Sequence, residues 1–272
     1  MSTHVISGFG YVGKATQLSL LEAGVLEHNI AINDPYQNHI VVNWKEKQWH
    51  FICVPTPSED LEHVSPYVSS VVTETINMAK QNGFEGITVL RSTLDPQSVM
   101  TLHEDLGDNL IVWPEFLRKA SWSTDAVNPI LSIAGGRYAN DLNSSFSDSF
   151  KIKNVLSNPV EACIAKLAIN SLLAARTIQA YNLKKLCDNL GYSYTRVQSI
   201  LCTEPRLGYS HWQQPGPDGE YGYGGSCFPK DTSAMAYAMI KADVHDSYAE
   251  WAHWNNVKVK QVETPVDKSI KE

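Results

Sequence analysis

A parallel α/β sheet domain followed by an all-helical one is the fold the sequence predicts, on three observations. Short apolar runs of strand length alternate with longer amphipathic runs through the first half of the chain. A glycine-rich turn separates the first such run from the first helical pattern. From Val160 the alternation stops, and a long helical pattern without glycine or proline begins.

The first strand is His4–Ser7, and Gly8-Phe9-Gly10-Tyr11-Val12-Gly13 follows it directly. In a G-x-G-x-x-G turn the first glycine permits the tight bend, the second lets backbone approach a pyrophosphate, and the third lets helix pack on strand. The helix that opens there presents free amides and its positive dipole end to phosphate. Gly8, Gly10, Tyr11, Val12 and Gly13 are therefore cofactor-binding candidates. The helix is expected to bury Ala15, Leu18 and Leu21 on one face and to close at Gly24.

A second strand, Ile30–Asn33, ends in Asp34, 21 positions beyond Gly13. An acid there accepts hydrogen bonds from the hydroxyls of an adenosine ribose and repels a 2′-phosphate, which favours NAD over NADP. The alternative is a turn aspartate before Pro35. These features make the first domain Rossmann-type.

The run at 49–54, containing Phe51-Ile52-Cys53-Val54, reads as a buried parallel strand leading into Pro55-Thr56-Pro57. Helical spacing covers 64–81. A strand at 86–90 runs into Arg91-Ser92-Thr93, where Thr93 is either a site residue or a helix cap before Asp95-Pro96. A strand at 109–113 leads to Pro114-Glu115-Phe116-Leu117-Arg118, and one at 130–134 with Gly135-Gly136 closes the domain. Tandem units of this period imply right-handed crossovers and a parallel sheet.

The helical pattern over 160–190 has apolar residues on more than one face, which predicts an interdomain spine that also serves as a homodimer surface. Helices are further expected at 232–241 and 247–254, and a polar, poorly ordered tail after them. The expected domains are 1–157, nucleotide-binding; 158–256, helical; and 257–272, a polar tail.

The chain has 272 residues, 43% of them hydrophobic and 19% charged, enough for a sizeable core. Its net charge of −7, with no basic run, argues against a nucleic-acid surface. No apolar run reaches membrane-spanning length and the start lacks a leader pattern, so a soluble, cytoplasmic protein is expected. Five cysteines without a CxxC pair support neither a disulfide framework nor a metal site.

The stretch richest in chemistry is Gly222-Tyr223-Gly224-Gly225-Ser226-Cys227-Phe228-Pro229-Lys230-Asp231. Three glycines let backbone bend around a ligand, and a thiol, an ammonium and a carboxylate follow within five residues. That is the composition of a nucleophile with electrostatic partners. A glycine-rich turn with an incidental buried cysteine is the plainer alternative.

Taken with the amino-terminal fingerprint, this stretch resembles the catalytic motif of the UDP-glucose 6-dehydrogenase family, which spans relatives acting on GDP-mannose or UDP-N-acetylmannosamine. The resemblance implies NAD-dependent, four-electron oxidation of a nucleotide-sugar, foremost UDP-glucose, to the uronic acid. By that resemblance Cys227 forms a thiohemiacetal and then a thioester, which water hydrolyses. It also implies a Thr56 turn and Lys230 beside the cofactor, a Thr93 near the nicotinamide holding a water, and Glu115 as acid/base with Phe116 and Leu117 at the substrate. Lys166 and Asn170, at i and i+4 in Ala-Cys-Ile-Ala-Lys-Leu-Ala-Ile-Asn, match the pair that steadies the oxyanion; a solvated lysine is the alternative. Asp231 would face the same pocket. Gly224 belongs to the substrate loop, and Arg206 in Glu-Pro-Arg-Leu-Gly matches an arginine that reaches the nucleotide of a neighbouring subunit.

This sequence departs from the family in two places: the second glutamate of the PEFLRE segment is Lys119, and the glutamate before the pocket lysine is Cys163. The family's third domain, which binds UDP, is expected to be missing. An alternative reading is thus a catalytically impaired nucleotide-sugar or NAD binding protein. A two-electron dehydrogenase of the 3-hydroxyacyl or 6-phosphogluconate type shares the fold pattern but leaves the cysteine motif unexplained.

Overall fold

The computed structural model describes residues 3–41, 43–60, 62–146 and 152–263. The described chain divides into two compact units, one of residues up to 57 with 67–166, the other of 58–66 with 167 onward.

The first unit holds one seven-stranded sheet. Its strands are β1 (His4–Ser7), β2 (Ile30–Asn33), β3 (Trp49–Ile52), β4 (Ile87–Leu90), β5 (Leu110–Val112), β6 (Ile133–Gly135) and β7 (Asn154–Leu156). They lie in the order β2-β1-β3-β4-β5-β6-β7. All neighbours pair parallel except β5 and β6, which meet antiparallel at Val112 and Gly135. The wholly parallel sheet expected from sequence is therefore corrected at one junction. Order reverses around β1, so the crevice beyond the carboxyl ends of β1 and β3 is the topological switch point where such sheets bind ligands.

The helices of this unit are α1 (Tyr11–Glu22), α2 (Ser70–Gln81), α3 (Pro96–Leu106), α4 (Trp122–Val127) and α5 (Ala139–Ser144). Helix α1 buries Gly13, Ala15, Thr16, Ser19 and Leu20, whereas Leu21 is exposed. The expected apolar face is thus rotated, with Leu20 in place of Leu21 on the buried side beside the small residues. Helix α2 starts at Ser70 and not at 64, and residues 58–66 belong to the second unit. The strand expected to close the domain, β6, begins at Ile133, three residues later than the apolar pattern suggests, and β7 follows it at the sheet edge. Under the sheet, Ile6, Phe51, Val89, Ile111 and Ala134 form one buried core with Leu20, Trp113, Leu142 and Phe146.

His50 sits in the middle of β3, fully buried, with its ring edge-on to Trp44 and Phe84 and its Nε2 2.7 Å from Ser7 Oγ. Burial drives its pKa down to about 3, so the folded chain holds it neutral. Unfolded, the same ring protonates below about pH 6.5. The unfolded state then binds the extra proton, and stability falls as pH falls through the window from 6.5 towards 3, by about 1.4 kcal/mol per pH unit. Urea unfolding at pH 7 and pH 5 should show His50→Gln losing about 2 kcal/mol less than the parent between the two. An equal loss in both proteins would remove His50 from the acid response.

Helix α6 (Pro159–Asn189) starts in the first unit and runs into the second. The second unit adds α7 (Tyr194–Leu201), α8 (Phe228–Lys241) and α9 (Tyr248–Glu263). Residues 257–263, expected as tail, are the last turns of α9; Tyr181 Oη donates to Glu263 Oε1 at 2.7 Å and Lys185 pairs with it at 2.9 Å. The remainder of the expected tail, 264–272, lies outside the described residues. Among the described residues no helix is long and apolar enough to cross a membrane.

Candidate functional site

In the first unit the site begins where β1 ends. Gly8 has φ +84°, and a Cβ there would lie 2.7 Å from the Cys53 carbonyl oxygen, so the turn is pressed against the end of β3. A Cβ on Gly13 would lie 2.0 Å from Gly8 O, while Gly10 has open space above it. No side chain caps α1 at Gly10. Tyr11 is exposed and packs on Trp122 at 5.1 Å, and Val12 is half-buried.

Asp34 follows β2 and is buried. Burial pushes its pKa up, but the Phe9 amide at 2.7 Å, Gln37 Nε2 at 2.9 Å and the Tyr36 amide at 3.1 Å outweigh that and hold it below the ordinary carboxylate value. The acid is thereby tied to the glycine turn across 25 residues of sequence.

Thr56 is buried just past β3. Ser92 Oγ donates to Val54 O at 2.7 Å, which fixes the Thr56 turn against the end of β4. Thr93 is half-buried beside it. The cap of α3 is Asp95, which accepts from the Ser98 amide at 3.0 Å, so Thr93 does not serve as that cap.

Glu115 follows β5, and its Oε2 accepts from the Leu117 amide at 2.7 Å. Lys166 on α6 is 3% exposed, which replaces the solvated reading by a buried ammonium. Its Nζ donates to Glu115 O at 2.6 Å, lies 3.8 Å from Glu115 Oε1 and stands 4.8 Å over the Phe116 ring. A lysine can be buried when a carboxylate and a carbonyl compensate its charge.

In the second unit Cys227 stands at the amino end of α8, half-buried, with Ser226 Oγ 3.6 Å from its Sγ. Pro229 in the first turn suits that position, having no amide to leave unpaired. The aligned peptide dipoles of α8 favour negative charge at this end. One turn later Asp231 is fully buried; Asn170 Nδ2 donates to its Oδ2 at 2.6 Å and Lys230 Nζ to its Oδ1 at 2.9 Å. Asn170 thus has one N–H and its carbonyl outside that bond. Lys230, expected beside the cofactor, is bonded to Asp231.

Gly222 has φ +73°, and a Cβ on it would lie 2.5 Å from Asn256 Oδ1. Asn256 on α9 accepts from the Tyr223 amide at 2.8 Å and donates to Tyr223 O at 3.1 Å, clamping the loop before Cys227. Gly224 has Lys260 Nζ as its nearest neighbour, 3.9 Å from where a Cβ would stand. Arg206 is exposed and bonded through Nε and Nη2 to Glu204 at 2.8 and 2.9 Å.

Two residues near these groups carry no motif. Asn256 is one; Arg91 is the other, buried with its guanidinium 4.1 Å over the Trp113 ring. Arg91 donates to Thr16 Oγ1 at 3.1 Å and to Trp113 O at 2.9 Å, joining α1, β4 and the strand end before Glu115. Its one legible signal was a charged residue ending an apolar strand.

The fold is a Rossmann-like sheet with a glycine-rich turn, then a helical unit with a thiol at a helix amino end. Residues 160–257 match the central domain of the UDP-glucose/GDP-mannose dehydrogenase family. A GDP-mannose 6-dehydrogenase of Pseudomonas savastanoi pv. phaseolicola is 26% identical over 210 residues, covering 71% of this chain and 47% of its own. A UDP-glucose 6-dehydrogenase of Streptococcus pneumoniae is 27% identical over 208 residues, covering 71% and 50%. The solved UDP-glucose dehydrogenase of Pyrobaculum islandicum shares the fold with a TM-score of 0.75 at 21% identity, over 94% of this chain and 68% of that one. Through residues 160–257 the chain is similar to the UDP-glucose/GDP-mannose dehydrogenase family. It spans about half the length of the curated relatives it matches.

Proposed function

We propose that the chain is an NAD-dependent dehydrogenase that oxidises the primary alcohol of a nucleotide-sugar, foremost UDP-glucose, to the carboxylate through Cys227. The observation that carries this reading is the arrangement around α8, with a nucleophile at the helix end and a buried Asp231 fixing Asn170 and Lys230 one turn on.

The first unit fits NAD. Gly10 leaves space for a pyrophosphate at an α1 end that no side chain caps, and Asp34 supplies an acid at the end of β2. Gly8, Gly10, Tyr11, Val12, Gly13 and Asp34 would hold the dinucleotide, with Thr56, Thr93 and Lys230 as further contacts. NAD, when bound, supplies the acceptor for the hydride removed at each oxidation.

The chain's own groups do the rest. Sγ of Cys227 adds to the aldehyde carbon, forming the C–S bond while the carbonyl electron pair moves onto oxygen. Fixed donors, the remaining N–H of Asn170 and the Lys166 ammonium, stabilise that oxygen without reorganising. Glu115 moves protons at the reacting carbon's oxygen and activates the water that finally cleaves the thioester, releasing the thiolate. Phe116, Leu117, Gly224 and Arg206 are proposed as substrate contacts.

NAD should bind at least about tenfold more tightly than NADP, because a 2′-phosphate would meet the Asp34 carboxylate. Calorimetric titration of Asp34→Ala should find that preference largely lost. Equal affinity of the parent for both cofactors would refute the assignment.

A homodimer is also proposed. Leu172 and Leu186 are exposed along α6, about four turns apart and near one face, and Leu190 is exposed just past its end. Light scattering should give twice the chain mass at micromolar concentration, and Leu186→Glu should give the monomer. A monomeric parent would contradict it.

A further inference from the structure

The Asp34 carboxylate has three close donors of its own chain, the Phe9 amide and Gln37 Nε2 on Oδ2 and the Tyr36 amide on Oδ1, with the Gln37 amide beside them. A carboxylate offers roughly four acceptor sites, so a ribose diol finds at most one of them open. The three donors are not equivalent. Two are backbone amides set by the glycine turn and by the short 3-10 turn Pro35–Gln37, which closes at Asn38 with φ 59°. The third belongs to an exposed, rotatable side chain, and the same Nε2 also donates to Phe9 O at 3.1 Å. Its carboxamide therefore bridges the acid and the glycine turn.

We propose that Gln37 is a specificity-determining plug: its carboxamide occupies the Asp34 acceptor position that an adenosine ribose takes, and it swings out when the dinucleotide binds. This rests on the reading of the first unit as an NAD site. Closed Gln37 lowers the fraction of chains ready to bind, and apparent affinity falls by that fraction. Only ligands carrying the adenosine half compete with it, so the plug acts on the adenosine end and leaves the nicotinamide end untouched.

Calorimetric titrations with NAD, ADP-ribose and nicotinamide mononucleotide test this on the parent, Gln37→Ala, Asp34→Asn and the double variant, with thermal melts to show that each is folded. Gln37→Ala should bind NAD and ADP-ribose about three- to tenfold more tightly, the equivalent of one net hydrogen bond no longer displaced. Nicotinamide mononucleotide should bind all four proteins alike, and the gain should vanish in the Asp34→Asn background. Unchanged or weaker NAD binding by Gln37→Ala, with a parent that binds NAD, overturns the plug and leaves the NAD site standing. A parent that binds neither NAD nor ADP-ribose at millimolar concentration overturns the NAD reading and the plug with it.

Discussion

Replacing Cys227 by alanine should lower steady-state NADH production from a nucleotide-sugar by at least about a thousandfold, because the second oxidation loses its nucleophile and turnover stalls at the aldehyde. An aldehyde cannot give up hydride usefully until a nucleophile has made its carbon tetrahedral, and the proposed nucleophile stands at the α8 amino end. Serine in the same place should trap a slowly hydrolysed oxygen ester. The other thiols provide the control. Cys53, Cys163 and Cys187 are buried, and burial raises the Cys53 thiol to about 11 despite Thr16 and Arg91 beside it. Cys202 is partly exposed and donates to Tyr209 O at 3.6 Å, so a thiol reagent should mark two sites and not one. Only the Cys227 adduct should inactivate, and nucleotide-sugar should protect it. Full activity in Cys227→Ala would leave the thiol without a role.

Lys166→Met should be the most destabilising of the site variants and should also reduce turnover. The ammonium is buried with Glu115 as its charge partner, so its removal leaves a largely desolvated carboxylate and a carbonyl that lacks its donor. Breaking such a pair from one side costs about 3 kcal/mol or more. Urea unfolding measures that loss, and turnover in the folded fraction should fall by about a hundredfold as an oxyanion donor disappears. Unaltered stability would mean that Lys166 lies at the surface in solution.

How much of this was legible in sequence depended on whether the signal was local. Strands β1 and β2 could be read to the residue because the glycine turn and Asp34-Pro35 punctuate their ends. Strand β7 escaped, since Asn-Val-Leu is too short for a period to show. On α1 the apolar pattern named Leu21, but the buried face is Gly13, Ala15, Thr16, Ser19 and Leu20, mostly small residues that hydropathy does not rank. The spacing of Lys166 and Asn170 was plain, yet burial of Lys166 depends on Glu115, 51 residues away. Asn256 and Gln37 act through side-chain bonds to backbone that no spacing rule reports, the first across 33 residues and the second across 28.

Within the glycine-rich stretch itself, residue type and structure agree on why the backbone must bend. Gly222 is required both by its φ and by Asn256, while Gly225, at φ +77° in open space, is required by conformation alone. Alanine at the first position would meet a clash as well as strain, and at the second only strain.

The most direct measurement is the stoichiometry of NADH formed from a limiting amount of UDP-glucose with excess NAD, followed by absorbance to completion. Two NADH per sugar, with a carboxylate product and with Cys227→Ala yielding none at steady state, is the result expected of a four-electron oxidation through the thiol. One NADH per sugar, or two from the Cys227→Ala protein, would contradict it.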